Sequence, residues 1–222
     1  VQTSIALSCI LGILVAVFGF FACKPLLEIM GTVDECIEQS TRYMKIIFLG
    51  IPAQMVYNYG TSILRANGDT KNPLIFLVIS GAVNVVMNII LVFVFRDVWG
   101  VAAATIISQY LSALLIIIHL KRMNNACRLS FRSLRIHSAE LRDILRIGLP
   151  AGIQSSLFSV SNVVIQSTVN SFGSSAMAGV AAGSNYDAYI YTCTNAISQT
   201  TMTFASQNMG ARKYSNLGRV YR

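Results

Sequence analysis

The stretch KRMNNACRLSFRSLRIHSAELRDILR, residues 121–146, decides how the rest of the chain is read. It carries seven cations, Lys121, Arg122, Arg128, Arg132, Arg135, Arg142 and Arg146, against only Glu140 and Asp143, and apolar segments flank it on both sides. Lys and Arg resist crossing a bilayer and are retained on its cytoplasmic side. This basic bridge is therefore expected in the cytoplasm, dividing the chain into a longer and a shorter hydrophobic block.

Composition supports a membrane setting. Of 222 residues 54% are apolar and 12% charged, with a mean hydropathy of +0.60, whereas a soluble globular domain carries about 25% charged residues. The net charge of +8 does not indicate nucleic acid, because the basic residues lie in short segments between apolar runs and form no stripe interleaved with exposed aromatics. Cys9, Cys23, Cys36, Cys127 and Cys193 show no CxxC or metal-type spacing and read as small packing residues. Residues 1–23 lack the basic start and small-residue cleavage site of a signal peptide. The chain opens at a Val inside an apolar run, so an upstream continuation is expected.

A transmembrane helix needs about 20 mostly apolar residues. Six segments qualify: 1–23, 46–64, 74–95, 98–120, 147–172 and 176–205. The connection at 24–45 contains Pro25, Gly31 and four acids and reads as water-exposed. RANGDTKNP at 65–73 reads as a tight loop, and Arg96-Asp97 and 173–175 read as short turns. His119 and His137 read as interfacial or solvated. With connections alternating sides, the bridge side holds thirteen Lys and Arg: Arg65, Lys71, the seven of the bridge, Arg212, Lys213, Arg219 and Arg222. The other side holds Lys24, Arg42, Lys45 and Arg96. That asymmetry places both ends of the chain in the cytoplasm.

Several spans carry polar stripes. In the fifth, Ser155, Ser159, Asn162, Gln166 and Asn170 follow one another at 4, 3, 4 and 4 residues, which stacks them on one helical face. In the sixth, Asp187, Tyr191, Thr194, Ser198 and Thr201 recur at 4, 3, 4 and 3, with Asn195 and Gln199 alongside. The second span offers Gln54, Asn58, Thr61 and Arg65, and the third offers Asn84 and Asn88 one turn apart. Such residues can bridge packed membrane helices, contributing roughly 0.6 kcal/mol apiece. Four stripes in six spans fit better with a wet cleft that satisfies them.

Asp187 stands out because an acid inside a span costs roughly 2.5 to 3.5 kcal/mol on insertion scales and marks ion or substrate paths. Its span contains no Lys or Arg. In an apolar setting desolvation favours a protonated carboxyl, while an arriving cation favours the carboxylate. Proton and cation then compete for one group, which is the minimum chemistry of an antiporter. The competing reading keeps Asp187 structural, near enough to the outer end of a long tilted helix to reach water or an Asn. Tyr57, Tyr59, Tyr186, Tyr189 and Tyr191 could stack on a flat cation or serve packing and an interface belt.

LRANGDTKNPL at 64–74, NVVMNIILVF at 84–93, GLPAGIQSS at 148–156 and TFASQNMGARKY at 203–214 resemble the multidrug and toxic compound extrusion (MATE) family of secondary transporters. The resemblance implies twelve helices in two six-helix lobes around a cleft that opens alternately to each side. The chain would supply the last four helices of one lobe (1–120), the basic connection (121–146), and the first two helices of the next lobe with a basic tail (147–222). Many members carry an acid where this chain has Asn88, and the fifth span has none, so coupling is expected to rest on Asp187 in the second lobe. Ser206 stands where the family has a Gly.

The expected fold is an all-α polytopic membrane bundle with six transmembrane helices, at the plasma membrane. The expected activity is proton- or sodium-coupled antiport of hydrophobic organic cations. Asp187 would be the coupling carboxylate, with Na+ near it an open alternative. Gln54, Asn58, Asn84 and Asn88 would line the cleft from the first lobe. Ser159, Asn162, Gln166, Tyr191, Thr194 and Asn195 would line it from the second. No cofactor, catalytic residue or nucleic acid is expected, and the full-length protein is expected to be a monomer. One alternative on the same fold is a flippase for lipid-linked or other amphipathic cargo, which would want cations within the cleft. The other is a membrane-embedded enzyme, which would want paired acids or a nucleophile and base at membrane depth.

Overall fold

The computed structural model describes residues 1–29, 34–95, 98–123, 128–130, 135–171, 174–216 and 218. Among these the chain forms six α-helices: α1 Gln2–Ile29, α2 Asp34–Ala66, α3 Lys71–Phe95, α4 Val98–Arg122, α5 Ser138–Ser171 and α6 Ser174–Gly210. A short 3-10 turn follows at Tyr214–Asn216. Of the turns read at 96–97 and 173–175, residues 96, 97 and 173 lie outside the described residues, whereas Ser174 and Ser175 belong to α6. Two compact units result, Val1–His137 and Ser138–Arg222, so their boundary falls inside the basic bridge.

All six expected spans lie on helices, but the helices are longer. The connection read at 24–45 is in fact largely helical, because α1 runs through Pro25 to Ile29 and α2 starts at Asp34. Outside the hydrocarbon a helix can continue on polar residues that support one another a turn apart, as Glu38 and Arg42 do at 3.7 Å. In the same way α5 begins at Ser138, with Glu140 in its first turn where an acid complements the helix dipole, so the second half of the bridge is helix. By length and composition alone, Gln2–Glu28, Lys71–Val94 and Trp99–Arg122 could cross a bilayer. Helices α2, α5 and α6 are long enough, but their polar faces dilute the apolar content.

In the first unit α1 packs on α2, α2 on α4 and α4 on α3. Much of what is buried is small, including Ala53, Ala102, Ala104 and Ala113, whereas large apolar side chains face outward, such as Phe21 at 76% and Phe93 at 78% exposure. That pattern suits lipid, which offers no hydrophobic drive between helices and leaves close packing to hold them. At Gly12 the backbones of α1 and α2 come close, and a Cβ there would lie 2.7 Å from the Cα of Pro52. Pro52 cannot donate to the carbonyl four residues back, and beside that gap the Tyr110 hydroxyl of α4 donates to the Leu49 carbonyl at 3.0 Å.

At the bridge end of this unit Ile5, Leu64, Ile116 and Leu120 form a core that also contains Leu129, which is 1% exposed. The Leu129 N–H donates to the Leu120 carbonyl at 3.0 Å. Gln2 donates to the Arg128 carbonyl, and the Thr3 hydroxyl meets Arg135 and His137. The described bridge residues 128–130 and 135–137 are thus held against their own unit.

A tight loop forms within the stretch read at 65–73, but it is confined to 67–70, because α2 runs to Ala66 and α3 starts at Lys71. Helix α2 closes in a Schellman motif, with Asp69 N–H to Leu64 O at 2.9 Å and Gly68 N–H to Arg65 O at 3.0 Å; Gly68 takes φ 87°, the left-handed conformation glycine adopts freely. Asp69 then caps α3, accepting from the Asn72 backbone N–H at 3.1 Å and its side-chain amide at 2.6 Å. His119, expected to be interfacial or solvated, approaches Asp69 of the loop at 3.2 Å and packs edge-on against Phe76. The last turn of α4 is thereby tied to the first turn of α3.

Burial works against ionisation of Asp69, but the two bonds from Asn72 and the nearby His119 outweigh it and hold the carboxyl below its ordinary value. A lowered folded value means the carboxylate contributes its full stability above the ordinary carboxylate range and loses it as pH falls through the lowered value. Asp69→Ala should therefore lower stability by about 1 kcal/mol at neutral pH. In thermal melts the gap between variant and parent should close as the medium is acidified below that range.

Candidate functional site: a polar cavity in the first unit and a polar face in the second

In the first unit α2, α3 and α4 line an open cavity of about 340 Å³. Gln54 and Asn58 of α2 and Asn84 of α3, all expected from the sequence, line it together. Spacings of four place Gln54 and Asn58 on one face of α2, and Ser80 and Asn84 on one face of α3. Asn88 lies a turn further along α3 and donates to the Asn84 side-chain oxygen at 3.1 Å.

The third wall was missed in the sequence. Thr105, Ser108, Gln109 and Ser112 of α4 face the same cavity. Their spacing of 3, 1 and 3 is the helical signal that could have found them, but it lies in a span dominated by aliphatic residues. Asn84 bridges to this wall, donating to the Ser108 hydroxyl at 3.3 Å. Ser108 in turn donates to the Thr105 carbonyl at 2.7 Å. A directed chain thus runs from Asn88 through Asn84 and Ser108 into the backbone of α4. Its far end, Asn88 Oδ1, is buried without a donor, as is Gln109 Oε1, which packs against Gly50.

Among the described residues no Asp, Glu, Lys or Arg lines this cavity. Its chemistry is that of neutral amides and hydroxyls, a set whose oxygens can receive a hydrogen-bond donor or a cation. Its volume is within the range of small-molecule pockets, which begin at about 300 Å³.

The second unit treats its polar residues differently. Ser155, Ser159 and Ser161 of α5 donate to backbone carbonyls one turn earlier in the same helix. Thr192, Thr194 and Thr201 of α6 do likewise. Asn162, Tyr191, Asn195 and Asp187 are exposed on this unit. Asp187 has no hydrogen bond or ion pair among the described residues. The side chains of Gln166 and Asn170 lie outside the described residues. At the end of α6 a second Schellman motif forms, with Lys213 N–H to Asn208 O at 2.8 Å and Arg212 N–H to Met209 O at 3.0 Å. Here the left-handed position, at φ 56°, is held by Arg212.

The family model MatE matches residues 1–90 and 150–222. The chain belongs to the MatE family. It is 29% identical over its whole length to the probable multidrug resistance protein YoeA of Bacillus subtilis, of which it covers 50%. It is 25% identical over 87% of its length to the FAD transporter of Shewanella oneidensis, covering 44% of that protein. Its fold matches the crystal structure of a mutant of the Vibrio cholerae MATE transporter VcmN with a TM-score of 0.86 at 21% identity, over 97% of this chain and 49% of that one. This MatE chain therefore spans about half the length of the relatives it matches.

Replacing Ser108 by Ala removes the acceptor that Asn84 needs across the α3–α4 contact. We expect a loss of about 1 kcal/mol, at the upper end of what a hydrogen bond between membrane helices contributes. Thermal unfolding in detergent measures it, and Ser155→Ala, which cuts only a bond within α5, should shift the melt far less.

Proposed function

We propose that this MatE chain forms part of a secondary transporter that exports hydrophobic organic cations in exchange for H+ or Na+ by alternating access. Membership of the family supports the transporter class, and the name of the YoeA relative is consistent with drug cargo. The observation that carries the cationic reading is the uncharged cavity of α2, α3 and α4, lined by amides and hydroxyls with no Lys or Arg among the described residues. The oxygens of such groups can receive an organic cation without a fixed counter-charge, whereas an anion would find no Lys or Arg to neutralise it.

Asp187 is the proposed coupling group. A bound proton neutralises it, and a cation arriving nearby draws the proton off, so binding of one favours release of the other. Na+ would need several further oxygens, for which Tyr191, Thr194 and Asn195 are the candidates on α6. Residues 1–120 form part of a first lobe, 121–146 the cytoplasmic connection and 147–222 part of a second lobe, with both ends of the chain at the cytoplasmic face of the plasma membrane. The full-length protein acts as a monomer, and no cofactor takes part.

A second reading on the same fold has amphipathic or anionic cargo, favoured by the similarity to a protein named as an FAD transporter. The cavity argues against it, since an anion would want Lys or Arg where amides and hydroxyls stand.

In efflux-deficient cells carrying the intact transporter, Asp187→Asn should abolish gradient-driven export of a cationic dye while leaving the amount of protein in the membrane unchanged. Undiminished export by that variant would remove Asp187 from the mechanism. For orientation, a single cysteine at Ser130→Cys in a cysteine-free background should react with a membrane-impermeant maleimide in inverted vesicles and stay unlabelled in intact cells.

A further inference from the structure

A second recess of the first unit lies at the opposite end from the bridge and shares no lining residue with the cavity of α2, α3 and α4. Lys24 of α1 and Ile37, Glu38, Thr41, Arg42 and Lys45 of α2 surround about 520 Å³. Positions 38, 41, 42 and 45 share one face of α2, so these side chains are brought to Lys24 by helical geometry. Among the described residues the lining holds three cations against one acid, and that acid is only loosely engaged, with Glu38 3.7 Å from Arg42. Lys24 has no ion pair or hydrogen bond among the described residues. Lys45 rests its ammonium 5.1 Å from the centre of the Phe20 ring, which fixes it at the rim without neutralising it. The Thr41 hydroxyl oxygen is buried and lacks a partner.

Next to these cations runs an apolar ridge. Leu14, Phe18 and Phe21 of α1 are 60%, 71% and 76% exposed and follow one another at 4 and 3 residues, with Lys24 three residues further along. Along one helix edge the chain presents acyl-chain surface and then positive charge, the order in which a phospholipid presents its own parts at a headgroup boundary.

We propose that this recess binds an anionic phospholipid, its phosphate held by Lys24, Arg42 and Lys45 and its acyl chains lying on Leu14, Phe18 and Phe21. The proposal does not depend on what the transporter carries. A zwitterionic lipid brings its own cation and loses the advantage of the net positive lining, so selectivity for headgroup charge is the signature. Free inorganic phosphate shares the oxyanion chemistry but lacks the chains.

The test is lipid retention by the intact protein in native mass spectrometry, with phosphatidylglycerol, phosphatidylethanolamine and phosphatidylcholine of matched chains, and with inorganic phosphate as competitor. Phosphatidylglycerol should be retained above the other two. Lys24→Gln or Lys45→Gln should each reduce that retention about fivefold, and the double variant about twentyfold, the weight of one or two surface cations facing an anionic lipid. Glu38→Gln, which frees Arg42, should raise retention, a gain that misfolding cannot imitate. Equal retention of all three lipids, an undiminished preference in the double variant, or displacement of the lipid by millimolar phosphate would each overturn the proposal.

Discussion

Hydrocarbon supplies no hydrogen bonds, so every backbone and side-chain polar group in the bilayer must find its partner inside the protein or in a wet cavity. The rest of this structure follows from that requirement. It explains why the described chain is helical almost throughout, why a hydroxyl from α4 stands beside the gap that Pro52 opens in α2, and why hydroxyls along α5 and α6 return their protons to their own backbone. Packing is a second demand, met by small residues. Gly12 lets α1 lie directly on the backbone of α2, where even a methyl group would force the helices apart.

The two units answer the same demand in different ways. In the first, three helices pool their amides and hydroxyls around one cavity. In the second, serines and threonines of α5 and α6 are satisfied within their own helices, and Asp187 is exposed. A cavity built from neutral dipoles can hold a cation without a fixed counter-charge, which allows loose recognition of many shapes. A carboxyl without a partner can change charge as its surroundings change. In the proposed exchanger the two properties would complement each other.

Much of this was legible in the sequence because membrane spans are written in long apolar runs and in the placing of Lys and Arg. Gln54, Asn58 and Asn84 could be picked out as a set because amides are rare in such runs. The cavity's third wall was harder to see, since Thr105, Ser108 and Ser112 are small and are common in helix contacts. Helix ends were misjudged at 24–45 and 138–146 because charge density marks the edge of the membrane, and a helix held by its own hydrogen bonds need not stop there. His119 could not be paired in advance, because its partner Asp69 is fifty residues away and only the packing of α4 on α3 brings them within 3.2 Å.

The endings of α2 and α6 share one hydrogen-bond pattern, with glycine at the left-handed position in the first and Arg212 in the second. A side chain there costs roughly 1–2 kcal/mol, so selection for sturdiness alone would favour glycine at position 212. What glycine would forfeit is a positive charge pinned at the negative pole of a 37-residue helix. In an engineering screen, heat-tolerant variants would accumulate at this residue, and each would leave α6 less firmly moored at the water boundary.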